Sequence, residues 1–230
     1  MNPAPLGVFD SGIGGLTVAR ALFERLPRES VIYFGDTARV PYGPKSPDTV
    51  RRYAGEILAY LLQRGVKALV VACNTITAQA LAYLQERSPV PLVGVIEPGA
   101  RAAVQATRTG TIGVIGTAGT IASGAYERAI TAIRPDARVH ARACPLFVPL
   151  VEEGWFDHPA TELIAREYLE PLQRAGVESL VLLHALPALE TAARAGHGPG
   201  CDAGGLRRGD GQGRGAGARG PRAARGRRAP

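Results

Sequence analysis

The chain of 230 residues has few cysteines and no long apolar run. Its three cysteines are widely spaced, which excludes a disulfide framework and indicates a reducing, cytoplasmic setting. The cysteines and the four histidines lack the spacing of metal ligands, so we expect no metal. No apolar stretch is long enough to span a bilayer and the N-terminus has no signal-peptide pattern, so we expect no membrane association.

The first 195 residues also have little net charge, because most of the chain's charge of +7 lies near the C-terminus. Residues 196–230 contain eight arginines and two aspartates, so the preceding 195 residues carry only +1. The same tail has twelve glycines, and Leu206 is its only large aliphatic residue. Such a segment cannot bury enough surface to offset chain entropy, so we expect residues 188–230 to be disordered. A nucleic-acid-binding arm is the functional alternative.

Apolar runs that end in small polar residues alternate with stretches of helical period along the rest of the chain. This alternation predicts an α/β fold with mainly parallel sheets and helices on both faces. The pattern restarts near Glu97, where the order of strand, polar turn and helix repeats that of the first residues. We therefore predict two similar three-layer α/β domains, residues 1–96 and 97–187, that face each other across a cleft. Asp48 is predicted to cap the helix that ends at Gly65.

Cys73 lies directly after the apolar run 68–72 and before a predicted helix that starts at Thr75. Ligands bind at the carboxyl edge of open α/β sheets, and a helix N-terminus there favours a thiolate over a thiol. A buried, inert cysteine is the alternative. Because Asn74 and Thr75 place polar groups next to the sulfur, the pattern favours a reactive cysteine with a lowered pKa.

A glycine-rich turn follows the first predicted strand at residues 10–15. Its glycines fit neither the dinucleotide fingerprint nor a P-loop, since no lysine follows the last glycine. Asp10 and Ser11 in this turn favour a site for an ammonium and a carboxylate. A helix cap formed by Asp10 is the alternative interpretation.

Five motifs occur in order between residues 6 and 183: Asp-Ser-Gly-x-Gly-Gly, Pro-Tyr-Gly, Ala-Cys-Asn-Thr, Gly-Thr-x-Gly-Thr and Pro-Leu-Phe-Val-Pro-Leu-Val-Glu. Together they resemble glutamate racemase. The resemblance implies interconversion of L- and D-glutamate for peptidoglycan, without cofactor or metal, by two cysteines on opposite faces of the substrate. It implies glutamate as the small-molecule partner, makes nucleic acid an unexpected one, and leaves a homodimer open.

The resemblance also implies roles for individual residues. Cys73 corresponds to the first catalytic cysteine, and Asp10 contacts the substrate and assists the proton transfer of Cys73. The other residues that the resemblance places at the substrate are Ser11, Tyr42, Gly43, Asn74, Thr75, Thr117, Thr120 and Glu152. Donors among them would stabilise the negative charge that develops on the substrate carboxylate.

The motif of the family's second cysteine, Cys-Thr-His-Tyr-Pro, is missing. Residues 183–187 read Leu-His-Ala-Leu-Pro instead, and codons for these residues can be read one base later as the family motif. We hypothesise a frameshift near Leu183, in the gene or in its sequencing, and a tail translated out of frame. Cys144 precedes Pro145 at a strand end and is predicted to be a core residue, not a substitute.

The predicted function is therefore that of a glutamate racemase that is inactive in racemisation as written. An aspartate or hydantoin racemase is the nearest alternative, although the Pro-Tyr-Gly loop and the Leu-Val-Glu segment favour glutamate. A non-catalytic protein with a nucleic-acid-binding basic tail is the alternative from a different class.

Overall fold

The computed structural model describes residues 3–182, in which strands and helices alternate. The elements are β1 (Leu6–Asp10), α1 (Leu16–Arg25), β2 (Val31–Gly35), α2 (Pro47–Gln63), β3 (Ala68–Val71), α3 (Asn74–Gln85), β4 (Leu92–Gly94), α4 (Ile96–Ala106), β5 (Thr111–Gly116), α5 (Ala118–Ala122), α6 (Ala125–Ile133), β6 (Arg138–Ala143), α7 (Phe147–Glu152), α8 (Pro159–Arg174) and β7 (Ser179–Leu182). Within this range, no helix has both the length and the apolar character needed to cross a membrane.

The strands form two parallel sheets, as the sequence predicted. The first sheet has the order β2-β1-β3-β4 and the second has the order β6-β5-β7. Every strand pair in both sheets is parallel. The α/β fold class is thus confirmed. The boundaries after residues 96 and 187 stay predictions, and the predicted tail at 188–230 lies outside the described residues.

The core of the first sheet explains why its strands read as continuous apolar runs. Phe9 of β1 and Leu69 of β3 are fully buried against Ile57 and Leu61 of α2 and Leu84 of α3. Burying one such side chain stabilises the fold by about 1.5–3 kcal/mol, so this sheet and its two helices form one unit. The unit fixes the carboxyl ends of β1 and β3 side by side.

The second sheet is covered on both faces, and alternate residues of β5 pack on opposite sides. Ile112 belongs to a cluster with Ala100 of α4 and Ile130 of α6. Ile115 belongs to another cluster, with Phe147 of α7 and Leu169 of α8. Side chains alternate across a strand, so a single apolar run supplies both layers.

One local prediction is wrong, and one helix was not predicted. The N-cap of α2 is Ser46, whose Oγ accepts a hydrogen bond from Thr49 N at 3.3 Å, so the prediction for Asp48 is wrong. Helix α7 was not predicted, because its proline and its six-residue length hide the helical period.

Glu178 joins the start of β7 to the turn between α4 and β5. Its carboxylate accepts hydrogen bonds from the backbone N–H groups of Thr109 at 2.7 Å and Arg108 at 2.8 Å, and from the hydroxyl of Thr107 at 2.7 Å. These bonds, above all that from Thr109 N, hold the pKa of Glu178 well below its usual value. The ionised carboxylate therefore stabilises the folded state at neutral pH.

We expect Glu178→Gln to lower the melting temperature at neutral pH by a few degrees. Because the folded-state pKa is depressed, this stabilisation is fully present above the unfolded pKa of about 4.3 and is lost as the pH falls towards the folded pKa. The difference between variant and parent should therefore shrink on acidification. Thermal unfolding monitored by circular dichroism at several pH values checks this, with exposed Glu167→Gln as the control; a gap independent of pH would contradict it.

Candidate active site

Cys73 lies at the carboxyl end of β3 and is the N-cap of α3. Its thiol donates a hydrogen bond to Ser11 Oγ at 3.3 Å, and its sulfur accepts one from Ile76 N at 3.4 Å. The strand end and the helix start thus hold the sulfur next to the glycine-rich turn after β1, as the sequence predicted. The residue is buried, with 5% of its surface exposed.

The expectation of a lowered pKa for Cys73 is wrong. Burial, followed by the negative charge of Asp10, raises the pKa of the Cys73 thiol to about 12. Once the sulfur is ionised, Ser11 and Ile76 can donate hydrogen bonds to the thiolate, and these bonds lower the pKa but do not compensate. Cys73 is consequently a protonated thiol at neutral pH, since the cost of burying a charge exceeds the effect of the helix N-terminus.

Asp10 organises the glycine-rich turn and does not cap α1. Its Oδ2 accepts hydrogen bonds from Gly15 N at 2.9 Å and Gly12 N at 3.2 Å. The N-cap of α1 is Gly15, which has no side chain to form a cap. The carboxylate is therefore held in place while its charge acts on Cys73.

Glu152, at the end of α7, reaches this turn from the second sheet. A Cβ atom placed on Gly12 would lie 2.4 Å from Glu152 Oε1, so the carboxyl group lies directly against the turn. Tyr33 of β2 donates a hydrogen bond to Gly12 O at 3.0 Å. Its pKa is raised by burial and then by the charges of Asp10, Cys73 and Glu152, which reflects their clustering. Sequence reasoning missed Tyr33.

Tyr42 is anchored by its hydroxyl group. That group donates a hydrogen bond to Asp36, which also accepts one from Arg39 Nε at 2.7 Å. Burial and this bond raise the pKa of Tyr42, so its hydroxyl stays protonated. Asp36, at the end of β2, could have been found by the same strand-end rule that located Cys73.

Three threonines join the two sheets next to Cys73. Thr75 Oγ1 lies 2.9 Å from Thr117 Oγ1 and 3.3 Å from Thr120 Oγ1, and the last two are 3.0 Å apart. All three are buried. Beside them, Gly119 N donates a hydrogen bond to Gly43 O at 3.0 Å. The structure thus brings together four of the predicted site residues at the seam between the two sheets, namely Gly43, Thr75, Thr117 and Thr120.

Asn74 completes the set of predicted residues near Cys73. It is half-buried, and its Oδ1 accepts a hydrogen bond from Tyr126 of α6 at 2.8 Å. Nothing in the sequence pointed to Tyr126. The set as a whole offers hydroxyl, amide and backbone donors around one thiol, which suits a ligand that carries carboxylates.

Cys144 is not part of this site. It is buried in the cluster around Phe147 and Leu169, where burial raises its pKa to about 12. Cys201, the third cysteine, lies outside the described residues. Among residues 3–182, no group of three or more His, Cys, Asp or Glu side chains is placed to bind a metal ion.

We expect Asp10→Asn to raise the alkylation rate of Cys73 by about tenfold near neutral pH, the change that one pKa unit produces. The substitution removes a negative charge that raises the pKa of the thiol, while the amide oxygen still accepts a hydrogen bond. Ser11→Ala is the matched control: it removes a bond that lowers this pKa and should slow alkylation. Iodoacetamide labelling followed by peptide mass spectrometry measures both rates, and a slower reaction in Asp10→Asn would contradict the charge effect.

Comparisons with known proteins agree with this arrangement. The family profile described as Asp/Glu/Hydantoin racemase matches residues 11–182. A protein named glutamate racemase from Geobacter metallireducens is 59% identical over 177 residues, which cover 77% of this chain and 66% of that protein. The chain thus spans slightly less than two thirds of that relative.

Solved structures give the same result at the level of the fold. Glutamate racemase isoform RacE1 from Bacillus anthracis superposes with a TM-score of 0.81 at 43% identity, covering 86% of this chain and 75% of that one. Glutamate racemase from Francisella tularensis, solved in complex with D-glutamate, has a TM-score of 0.77 at 39% identity, with coverages of 84% and 73%. The profile match extends over most of the chain and includes the turn after β1, Cys73 and Glu152. The chain therefore belongs to the Asp/Glu/hydantoin racemase family.

Proposed function

We propose that this chain is a glutamate racemase polypeptide that binds glutamate through the site around Cys73. The observation that carries the proposal is the position of the Cys73 thiol. It lies at the N-terminus of α3, and its sulfur is 3.3 Å from Ser11 Oγ in the glycine-rich turn after β1. The names of the relatives support glutamate as the substrate. The predicted site residues are the proposed contacts of that substrate.

The proposed reaction is a proton transfer across the α-carbon of glutamate. A thiolate on one face takes the α-hydrogen as a proton, and the electron pair of the broken C–H bond is delocalised into the α-carboxylate. A thiol on the other face then returns a proton to the carbon, which inverts the stereocentre. The first sulfur ends protonated and the second ends as thiolate, so the reaction needs no redox step.

Cys73 begins this cycle as the acid. Because its thiol is protonated in the ligand-free site, it can deliver a proton to the α-carbon directly. For the reverse direction it must ionise, and the ammonium group of a bound amino acid would favour the thiolate. Asp10 is near enough to influence that ionisation, which supports its proposed role in proton transfer.

The donors at the seam would bind the carboxylates of glutamate. Proposed contacts are the amide of Asn74 and the hydroxyls of Ser11 and Thr75, which lie on the first sheet or its helices. Thr117, Thr120 and Glu152 would contribute from the second sheet. A charge that develops on the α-carboxylate is stabilised most by donors that are already fixed, as the threonine cluster is.

A complete cycle needs a second sulfur on the opposite face. In the described part of the chain the only cysteine besides Cys73 is Cys144, which is buried in an apolar cluster. We therefore propose that the polypeptide, with the sequence given, binds glutamate but does not racemise it at a measurable rate. Production of D-glutamate for peptidoglycan, a cytoplasmic location and a homodimer remain part of the proposal for the family member with an intact second motif.

The proposal is tested with the full 230-residue chain. Isothermal titration should show binding of glutamate, with binding of aspartate weaker by about tenfold, because the shorter side chain cannot reach both sets of donors. Circular dichroism of glutamate solutions should show no racemisation. Absence of glutamate binding at millimolar concentration would refute the substrate, whereas formation of D-glutamate from L-glutamate would refute the inactivity.

The alternatives have their own readouts in the same experiment. Tighter binding of aspartate or of a hydantoin than of glutamate would favour the related racemases. Salt-dependent DNA binding that disappears on truncation at Pro187 would favour the nucleic-acid-binding arm. No observation in the described residues favours either over glutamate.

A further inference from the structure

Asn74, the residue next to Cys73, contacts a helix that packs on the second sheet. The hydroxyl of Tyr126, near the start of α6, donates a hydrogen bond to Asn74 Oδ1 at 2.8 Å. Tyr126 is 5% exposed, and Asn74 is the first residue of α3. The side-chain nitrogen of Asn74 has no hydrogen-bond partner within residues 3–182, so its two N–H groups remain available.

The position of Tyr126 is strongly constrained by its surroundings. Its ring belongs to the cluster of Ile96, Ala100 and Ile130, and Gly99 of α4 leaves the space for the phenol. A Cβ atom on Gly99 would lie 3.0 Å from the hydroxyl oxygen and 3.3 Å from the ring. The hydroxyl therefore has one well-defined position relative to the second sheet.

The hydroxyl also has a defined role as a donor. Burial raises the pKa of Tyr126, so the phenol is protonated throughout the physiological range. In the arrangement that the structure shows, the phenol donates to the amide oxygen of Asn74, and the amide nitrogen lies on the other branch of that side chain. In that arrangement the nitrogen faces away from Tyr126.

We propose that Tyr126 is a positioning residue that orients the side-chain amide of Asn74 so that its N–H groups bind a carboxylate of the substrate. This inference rests on the proposed function and deepens it. Tyr126 is buried, and its proposed role is to act through Asn74 and not through a contact of its own with the substrate. Through this contact, Tyr126, on the side of the second sheet, sets the orientation of the Asn74 amide, which lies on the side of the first sheet.

The contact makes substrate binding depend on the packing of the two sheets. Without the hydroxyl, Oδ1 of Asn74 is left half-buried and unpaired, and the amide can adopt either orientation. Molecules in which the amide oxygen faces the cleft would repel a carboxylate. Binding should weaken even though the packing of the Tyr126 ring is preserved.

The test uses Tyr126→Phe in the full chain, with Tyr83→Phe in the same helix as Asn74 as the matched control. We expect the Kd for glutamate to rise about three- to tenfold in Tyr126→Phe, the range that one hydrogen bond contributes, and to be unchanged in Tyr83→Phe. In an Asn74→Ala background, Tyr126→Phe should change the Kd by less than about twofold. The same loss in both backgrounds would mean a general structural role and would overturn the proposal.

A second measurement does not depend on glutamate. In the ligand-free protein, the side-chain amide NMR signals of Asn74 should shift or broaden in Tyr126→Phe and stay in place in Tyr83→Phe. If the parent chain does not bind glutamate, the proposed substrate fails, and these signals alone decide whether Tyr126 orients Asn74. Unchanged Asn74 signals in Tyr126→Phe would overturn the positioning role in either case.

Discussion

Restoring the alternative reading frame after Leu183 raises the rate of glutamate racemisation by at least about 10³-fold over the 230-residue chain. The expectation follows from the chemistry, because a positioned general acid or base contributes about 10²–10⁴-fold and, within residues 3–182, Cys73 is the only cysteine outside the apolar cluster that holds Cys144. The shift would place a Cys-Thr-His-Tyr-Pro motif directly after β7, at the carboxyl edge of the second sheet.

The rate is measured as D-glutamate formation and as loss of the α-proton signal in heavy water. The control is the same frame-restored protein with the cysteine of that motif replaced by serine, which should return to the low rate. Resequencing of the gene provides an independent check. Equal rates for the original and the frame-restored protein would contradict the hypothesis that the tail is out of frame.

In the frame-restored protein, we expect Cys73→Ser to lower the rate of racemisation by about 10²–10⁴-fold. A serine hydroxyl keeps the size and the hydrogen-bonding capacity of the thiol towards Ser11 but ionises at far higher pH. The loss therefore reports on proton transfer and not on packing. The assay follows both enantiomers, since each direction uses Cys73 once, as acid or as base.

Cys144→Ala is the matched control for this substitution. Cys144 is buried among Phe147, Val151 and Leu169, so its replacement by a smaller apolar residue should leave the rate unchanged and cost only some stability. A full rate of interconversion in Cys73→Ser would contradict the assignment of the proton-transferring group. A rate that depended on Cys144 instead would contradict the assignment of Cys144 to the core.

The position of Cys73 could be predicted from the sequence, because two short-range signals coincide there. An apolar run indicates a buried parallel strand, and the polar residues after it indicate a strand end at the ligand-binding edge. The same rule places Asp10 and Thr117 at the ends of β1 and β5. The resemblance to a family then added residues, such as Glu152, that no local pattern singles out.

The protonation state of Cys73 could not be predicted in the same way. The sequence shows a helix N-terminus, which lowers a thiol pKa, but it does not show how completely the thiol is buried or how near the carboxylate of Asp10 lies. Both effects act through space and both raise the pKa. The sequence therefore located the helix after Cys73 correctly, but it predicted a lowered pKa for the thiol where the structure gives a raised one.

The α/β fold class and the edge at which the site lies could be predicted from the sequence, because strand and helix periods and strand ends are local properties of the chain. Which groups meet at that edge depends on the three-dimensional packing. Tyr126 and Asn74 are 52 residues apart and lie on helices that pack against different sheets, yet their side chains share a hydrogen bond. Such a contact depends on how two sheets pack, and packing arises from the sum of many distant apolar contacts that no short stretch of sequence records.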